Sequence, residues 1–300
     1  MLDVSTFHGI IPPLATPLRA DESVDEPALR RLVRHVLDGG VHGIFAAGST
    51  GEFAALADAA RARAVEIVIE ETAGRVPVLV GIGDASTLRA QAWARHAEAA
   101  GADAVVAILP YYYATSTVPE VVAHFERLVE SSGLPLILYN IPSRTKSALP
   151  LAAVEQLRKN DRIVGIKDSA EELNVFYRLL EMRAPGFRVF QGSEMQCGAS
   201  VLLGADGAVL GISNLAPRLA VRLYEAAAAG DLARTRELQA VVADLNKIYW
   251  LAGSSQAGSL KYALSYVGIC EPTVTAPLAP AGAEAQGHIR ALVDRHRAEL

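Results

Sequence analysis

One pattern recurs along most of the chain and narrows the choice of fold more than any other feature. A helix-like stretch ends at glycine, a short turn follows, and an apolar run rich in β-branched residues begins. Gly39-Gly40 precede residues 41–47, Gly74 precedes 76–80 and Gly101 precedes 104–108. The series continues with Gly133 before 134–139, Gly186 before 187–190 and Gly204 before 207–210. A glycine just past a helix adopts the left-handed conformation without a Cβ clash, so each marks a helix stop. The runs do not alternate with polar residues and therefore read as strands covered on both faces. Residues 10–14 and 163–166 complete a set of eight, the others being 43–46, 78–81, 104–108, 136–139, 189–191 and 208–210. Helical stretches lie between them. Asp25, Glu26 and Pro27 suit a helix start, after which Leu29, Leu32, Val33, Val36 and Leu37 mark one apolar face. Ser86 and Thr87 are placed to cap a later helix.

Strands and helices in alternation imply a parallel sheet with right-handed crossovers. Eight such units predict a closed (β/α)8 barrel, spanning residues 1–225. The competing arrangement, an open doubly wound sheet, is disfavoured because no dinucleotide fingerprint follows the first strand. Residues 226–300 read as a C-terminal helical extension, with helices at 232–250, 259–267 and 284–300 and a proline-rich linker at 272–280. These helices either complete the outer layer of the barrel or form a cap or oligomer contact.

With 51% hydrophobic residues in 300, the chain can bury a sizeable core. A net charge of −5 gives no electrostatic footprint for nucleic acid or an acidic membrane. No apolar run is long enough to span a bilayer, and the first residues lack a basic region followed by an apolar stretch. Two isolated cysteines, Cys197 and Cys270, exclude a disulfide framework and suit a reducing compartment, so a cytoplasmic location is expected. The histidines, among them His35, His42, His288 and His296, form no metal-ligand pattern, and no metal or organic cofactor is expected.

In such barrels chemistry gathers at the C-terminal ends of the strands. After the second strand, Gly48-Ser49-Thr50-Gly51-Glu52 places two hydroxyls between glycines at a turn. Exposed backbone N–H groups there, with the dipole of the following helix, favour an anion, although an ordinary tight turn would carry the same residues. Tyr139 ends the fifth strand and would present a hydroxyl able to move protons, and Arg144 in the next loop could grip a carboxylate. Lys167 follows the sixth strand. Lysine is rarely buried in a barrel interior, and desolvation there favours the neutral amine that attacks a ketone to form an imine. The alternative is a surface lysine paired with Asp168. After the fourth strand, Tyr111, Tyr112 and Tyr113 suggest packing or an oligomer contact.

Taken in order from about Phe7 to Leu219, these stations resemble the dihydrodipicolinate synthase / N-acetylneuraminate lyase family of class I aldolases. The resemblance rests on Gly48-Ser49-Thr50-Gly51-Glu52, Tyr111-Tyr112, Tyr139-Asn140-Ile141-Pro142 and Gly165-Ile166-Lys167-Asp168. It implies that Lys167 forms the Schiff base with pyruvate, that Ser49, Thr50 and Gly51 hold the pyruvate carboxylate, and that Tyr139 moves protons at the imine and the substrate hydroxyl. Ser49 would link Tyr139 to Tyr112 in a relay, with Tyr112 contributed to a neighbouring subunit of a homotetramer built as a dimer of dimers. Gly192 and Val209 match positions lining bound pyruvate, and Arg144 matches an Arg that receives the second substrate, an aldehyde. Lys146, Asp168, Phe53 and residues 253–258 depart from the biosynthetic synthases. The expected reaction is therefore cleavage or dehydration of a 2-oxo-3-deoxy sugar acid or a 4-hydroxy-2-oxo acid. Behind it stand 4-hydroxy-tetrahydrodipicolinate synthase, which joins pyruvate to aspartate semialdehyde, then N-acetylneuraminate lyase. A non-catalytic 2-oxo acid binding barrel and a divalent-metal aldolase are the readings from other classes.

Overall fold

The computed structural model describes residues 4–113 and 117–300. Its eight strands are β1 (Gly9–Ile10), β2 (Ile44–Ala46), β3 (Val78–Gly81), β4 (Ala104–Ile108), β5 (Leu136–Asn140), β6 (Ile163–Asp168), β7 (Arg188–Gln191) and β8 (Gly207–Ala208). All neighbours pair in parallel, in the order β1-β8-β7-β6-β5-β4-β3-β2. Hydrogen bonds from His42 N to Ile10 O, Phe45 N to Pro12 O and Leu14 N to Phe45 O, each 2.9 Å, join the two ends of that order and close the ring. The expected barrel is the observed one.

The strand ends differ where the backbone chemistry demands it. Pro12 and Pro13 have no N–H to give, so regular pairing of β1 stops at Ile10 rather than running to residue 14, and only an isolated bridge joins Pro13 to Phe45. After β8 the chain turns into a single 3-10 turn, Gly211–Asn214. Asn214 accepts from Ala15 N and donates to Pro13 O, both at 2.9 Å, tying the first and last strand ends together. In contrast β6 runs two residues past the expected end at Ile166 and carries Lys167 and Asp168 inside the strand.

The helices follow their local signals. Asp25 caps Glu26–Asp38 by accepting from Ala28 N at 3.1 Å, and Ser86 caps Thr87–Ala100 by accepting from Arg89 N at 3.3 Å. Gly40, Gly74, Gly101 and Gly204 take positive φ as helix stops require, whereas Gly133 and Gly186 do not. Gly133 instead donates its N–H to the Glu98 carboxylate at 2.7 Å.

In the extension the helices are Leu232–Asn246, Gln256–Tyr266 and Ala283–Arg295; the first tightens into a 3-10 turn at Lys247–Trp250 instead of continuing as α-helix. Leu238, Val242, Leu245, Leu260, Leu264, Ile289 and Val293 belong to the same continuous apolar cluster as the strand residues Ile10, Phe45, Val105, Leu138 and Phe190. Each such side chain contributes about 1.5–3 kcal/mol on burial, so the extension is held to the barrel by core packing rather than by surface contacts. No helix among the described residues is long and apolar enough to cross a membrane.

Candidate active site

Lys167 is the penultimate residue of β6, in register with Tyr139 of β5 and Phe190 of β7. Successive residues of a strand face opposite sides, so Lys167 and Asp168 diverge. Asp168 turns to Asn140, whose amide donates to it at 2.6 Å, and both are buried. Burial pushes the Asp168 carboxyl up to about 6, with the Asn140 hydrogen bond opposing the rise. Among the described residues no ion pair joins Lys167 to Asp168, which removes the surface-pair alternative for the lysine. Lys167 is 5% exposed. Its Nζ lies 4.0 Å from the centre of the Tyr139 ring and 5.4 Å from that of Phe45. An amine packed against two aromatic rings at the strand ends lies where a carbonyl entering from the mouth would meet it.

Gly192, just after β7, explains why the lysine stem fits. A Cβ built there would stand 1.9 Å from Ser169 Oγ, 2.9 Å from Asp168 O and 3.0 Å from Lys167 Cε. The glycine lets the backbone run against the lysine, and its N–H donates to Asp168 O at 2.7 Å. Val209 is buried on the next strand end, its N–H bonded to Gln191 O at 2.8 Å. The structure thus brings Lys167, Tyr139, Gly192 and Val209 together on adjacent strands.

The loop after β2 lies across the ring, and Phe45 connects the two sides. Its ring is 6.4 Å from that of Tyr139, and a Cβ on Gly48 would meet it at 2.8 Å. Ser49–Gly51 forms a 3-10 turn rather than the first turn of an α-helix; the following helix begins only at Asp58. The anion preference expected from a helix dipole is therefore corrected to that of a single turn. Gly51 N donates to Gly48 O at 3.0 Å, Glu52 N to Ser49 O at 3.1 Å and Phe53 N to Gly48 O at 3.5 Å. The N–H groups at the open end of the turn, with the two hydroxyls, are those of Ser49 and Thr50. Gly51 packs where a Cβ would meet Leu14 O at 2.9 Å, and its carbonyl accepts from Thr16 Oγ1 at 2.8 Å.

Two expected residues stand apart from this cluster. Tyr112 is 75% exposed and packs edge-on against Tyr113. Tyr111 instead turns inward and packs against Phe53. Arg144 is exposed beyond β5 and donates to Gln256 Oε1 at 2.6 Å, which fixes it to the first residue of an extension helix.

Several residues at the site were not singled out in the sequence. Phe45 is one. Glu194 follows Gly192 and Ser193 past β7; burial raises its carboxyl, while nearby N–H groups and the Lys167 charge oppose the rise. The same rule that singled out polar residues at strand ends would have found it. Arg61 is buried between Trp93 and Phe53, with its guanidinium 4.1 and 5.0 Å from their ring centres. It donates to Gly81 O and Gly83 O, which holds the loop after β3, and burial lowers it to about 10. Among the described residues no group of three or more His, Cys, Asp or Glu is arranged to hold a metal ion.

A barrel with a buried lysine at the end of β6 defines a carbonyl-handling enzyme of the class I aldolase kind. The chain belongs to the dihydrodipicolinate synthetase family, whose model matches residues 6–296. It is 35% identical over 276 residues to a 4-hydroxy-tetrahydrodipicolinate synthase of Methanopyrus kandleri, covering 91% of this chain and 90% of that one. It is also 35% identical over 292 residues to a protein of Escherichia coli K12 described as a probable 2-dehydro-3-deoxy-D-pentonate aldolase, YjhH, covering 96% of each. Among solved structures it superposes with a TM-score of 0.91 on a dihydrodipicolinate synthase of Bacteroides thetaiotaomicron, 37% identical, covering 96% of this chain and 98% of that one. YagE of E. coli K12 in complex with pyruvate gives 0.92 at 30% identity, covering 97% and 99%. The protein is accordingly a lyase of the pyruvate-dependent aldolase family.

Proposed function

We propose that Lys167 captures a 2-oxo acid as an imine and that the enzyme cleaves or dehydrates a 2-oxo-3-deoxy sugar acid or a 4-hydroxy-2-oxo acid. The observation that carries this reading is the position of Lys167 Nζ, buried at the strand ends 4.0 Å from the Tyr139 ring. In the cleavage direction the amine adds to the substrate ketone and water leaves. The protonated imine then draws electrons from the bond to be broken. Tyr139 takes the proton from the hydroxyl two carbons away from the imine carbon, the bond between that carbinol carbon and the methylene beside the imine breaks, and an aldehyde departs. The remaining enamine takes a proton at its terminal carbon, and hydrolysis returns pyruvate and the free amine. Ser49 and Thr50 would hold the carboxylate through hydroxyls and N–H groups at the open end of their turn, while Gly51 supplies the close packing beneath it. Gly192 and Val209 would line the pyruvate portion.

The substrate assignment leans on Phe53 and on residues 253–258, which depart from the biosynthetic pattern, and one relative at 35% identity is described as a probable 2-dehydro-3-deoxy-D-pentonate aldolase. The synthase reading draws on Arg144, exposed beyond β5 and able to receive a carboxylate on the acceptor half. Comparison of kcat/KM for 2-keto-3-deoxygluconate, 4-hydroxy-2-oxoglutarate, N-acetylneuraminate, and pyruvate with aspartate semialdehyde tests the choice. The sugar acid or hydroxy acid should lead; first rank for the semialdehyde would overturn it.

The 75% exposure of Tyr112 supports a role across a subunit boundary, in a homotetramer built as a dimer of dimers, where it would complete a relay with Ser49 and Tyr139. Cys197 and Cys270, free and buried, support a reducing compartment and hence the cytoplasm.

A further inference from the structure

The pairing of β5 with β6 is irregular. It begins at Leu136 opposite Ile163 and resumes at Ile137 opposite Gly165, so Val164 is skipped and the register beyond it is shifted by one residue. In the shifted register Tyr139 lies opposite Lys167 and Asn140 opposite Asp168. Unshifted pairing would set Tyr139 opposite Ile166 instead, about 3.3 Å along the strand from its present partner. The place of the proton-moving hydroxyl beside the reacting amine therefore depends on how this slip is held.

Little else among the strands holds the end of β5. Its pairing with β4 stops at Tyr139, opposite Ile108. Two residues past Asn140 comes Pro142, which has no N–H to offer a neighbour. Asn140 is fixed from the β6 side, where Ser169 N donates to its carbonyl at 2.9 Å and its amide donates to Asp168 Oδ1 at 2.6 Å. Leu149 N donates to Asn140 Oδ1 at 2.9 Å, which directs the amide nitrogen at Asp168. Asn140 and Asp168 are 2% and 1% exposed. Their side-chain bond belongs to one register only, because a slip of one residue sets Asn140 opposite Lys167 or Ser169. Such a slip also leaves a buried carboxyl without its side-chain donor, a costly state away from water.

We propose that the Asn140–Asp168 hydrogen bond pins the shifted register of β5 on β6 and so sets Tyr139 opposite Lys167. Asn140 and Asp168 are then positioning residues: they touch no substrate and act through Tyr139. Irregular pairing beside a reactive group re-aims a side chain, and here the new aim is locked from the rear face of the strands. This rests on the lyase reading above and adds to it what holds its acid/base group in place.

The test is a double-mutant cycle with Tyr139→Phe, joined to a crystal structure. Asn140→Ala and Asp168→Ala each remove the bond, whereas Asp168→Asn keeps an oxygen for the Asn140 amide. The kcat is measured with the best substrate of the panel above. A reacting group displaced by about 1 Å costs roughly 10²-fold, so each alanine variant should lose about that factor and Asp168→Asn less than about tenfold. In the Tyr139→Phe background no hydroxyl is left to place, and the alanine substitutions should cost less than about threefold. Borohydride trapping of pyruvate should persist in every variant, because Lys167 stays on β6. Equal losses in both backgrounds, or Asp168→Asn as impaired as Asp168→Ala, would overturn the proposal. In the crystal structure of Asn140→Ala, Tyr139 should be drawn away from Lys167; an unmoved ring would overturn the pin even if activity fell. A wild type that neither traps pyruvate nor turns over would contradict the lyase reading instead, and the crystal comparison would still decide the pin.

Discussion

Glu52, which closes the turn holding Ser49 and Thr50, pairs with Lys261 of the C-terminal extension at 2.5 Å, with both side chains only 1% exposed. The second Glu52 oxygen accepts from Thr275 N and Oγ1, each at 2.8 Å, and Lys261 donates also to Thr273 O at 2.7 Å. Glu52 itself sits at φ 60, a left-handed conformation that only a well-determined surround maintains for a non-glycine residue. The extension thus reaches through the outer layer and pins the loop proposed to bind the carboxylate.

Removal of one partner leaves the other charge buried and unpaired. Lys261→Met should lower stability by about 3–5 kcal/mol and raise the KM for pyruvate, whereas the double variant with Glu52→Gln should recover much of the stability. Urea denaturation of the two singles and the double measures the coupling. Additive losses would show that the pair does not act as a unit.

Gly192→Ala tests the close approach at the lysine. A methyl group 3.0 Å from Lys167 Cε and 2.9 Å from Asp168 O must displace backbone or lysine. A shift of about 1 Å at a reacting group costs roughly 10²-fold in rate. The expected outcome is a loss of kcat/KM of about that size with a near-native circular dichroism spectrum. Retention of full activity would mean that the lysine stem has slack that the structure does not give it.

Tyr139→Phe keeps the ring against Lys167 and removes only the hydroxyl. An acid/base group contributes about 10²–10⁴-fold, so kcat should fall by that factor while pyruvate trapping persists. An unchanged kcat would move the proton transfer to another group.

Asp168 gives a pH signature. Burial holds its carboxyl at about 6 against an ordinary 3.8, so between about pH 4 and 6 the folded protein keeps a proton that the unfolded chain releases. Its contribution is complete below that window and is lost as the pH rises through it, a change of about 2–3 kcal/mol. Asp168→Asn has no proton to lose. Its stability relative to wild type should therefore climb from about pH 4 to 6 and then level off, as read from urea midpoints across the range. A constant difference between the two proteins would contradict the account.

Much of this was written in local sequence. The middle strands β3 and β4 begin and end where the apolar runs do, and Asp25 and Ser86 cap the helices they precede, because both features depend on near neighbours. The first strand was harder: Pro12 and Pro13 are apolar and extended, but cannot supply the ladder N–H groups. Lys167 and Tyr139 were legible from strand-end position alone. Gly192 and Val209 entered only through the family resemblance, since nothing in a lone glycine announces a lysine stem packed against it. Pairings across the whole chain were not legible at all. Thr275 reaches Glu52 over 223 positions, and Tyr249 comes up against Gly211 from the later part of the chain.

The central claim is covalent capture by Lys167, and trapping reads it directly. The enzyme is incubated with pyruvate and borohydride, digested, and its peptides are analysed by mass spectrometry, alongside Lys167→Met. The account predicts a reduced pyruvate adduct on the wild-type peptide containing Lys167 and none in the variant, which should also be inactive. An adduct on another lysine, or full turnover by Lys167→Met, would contradict it.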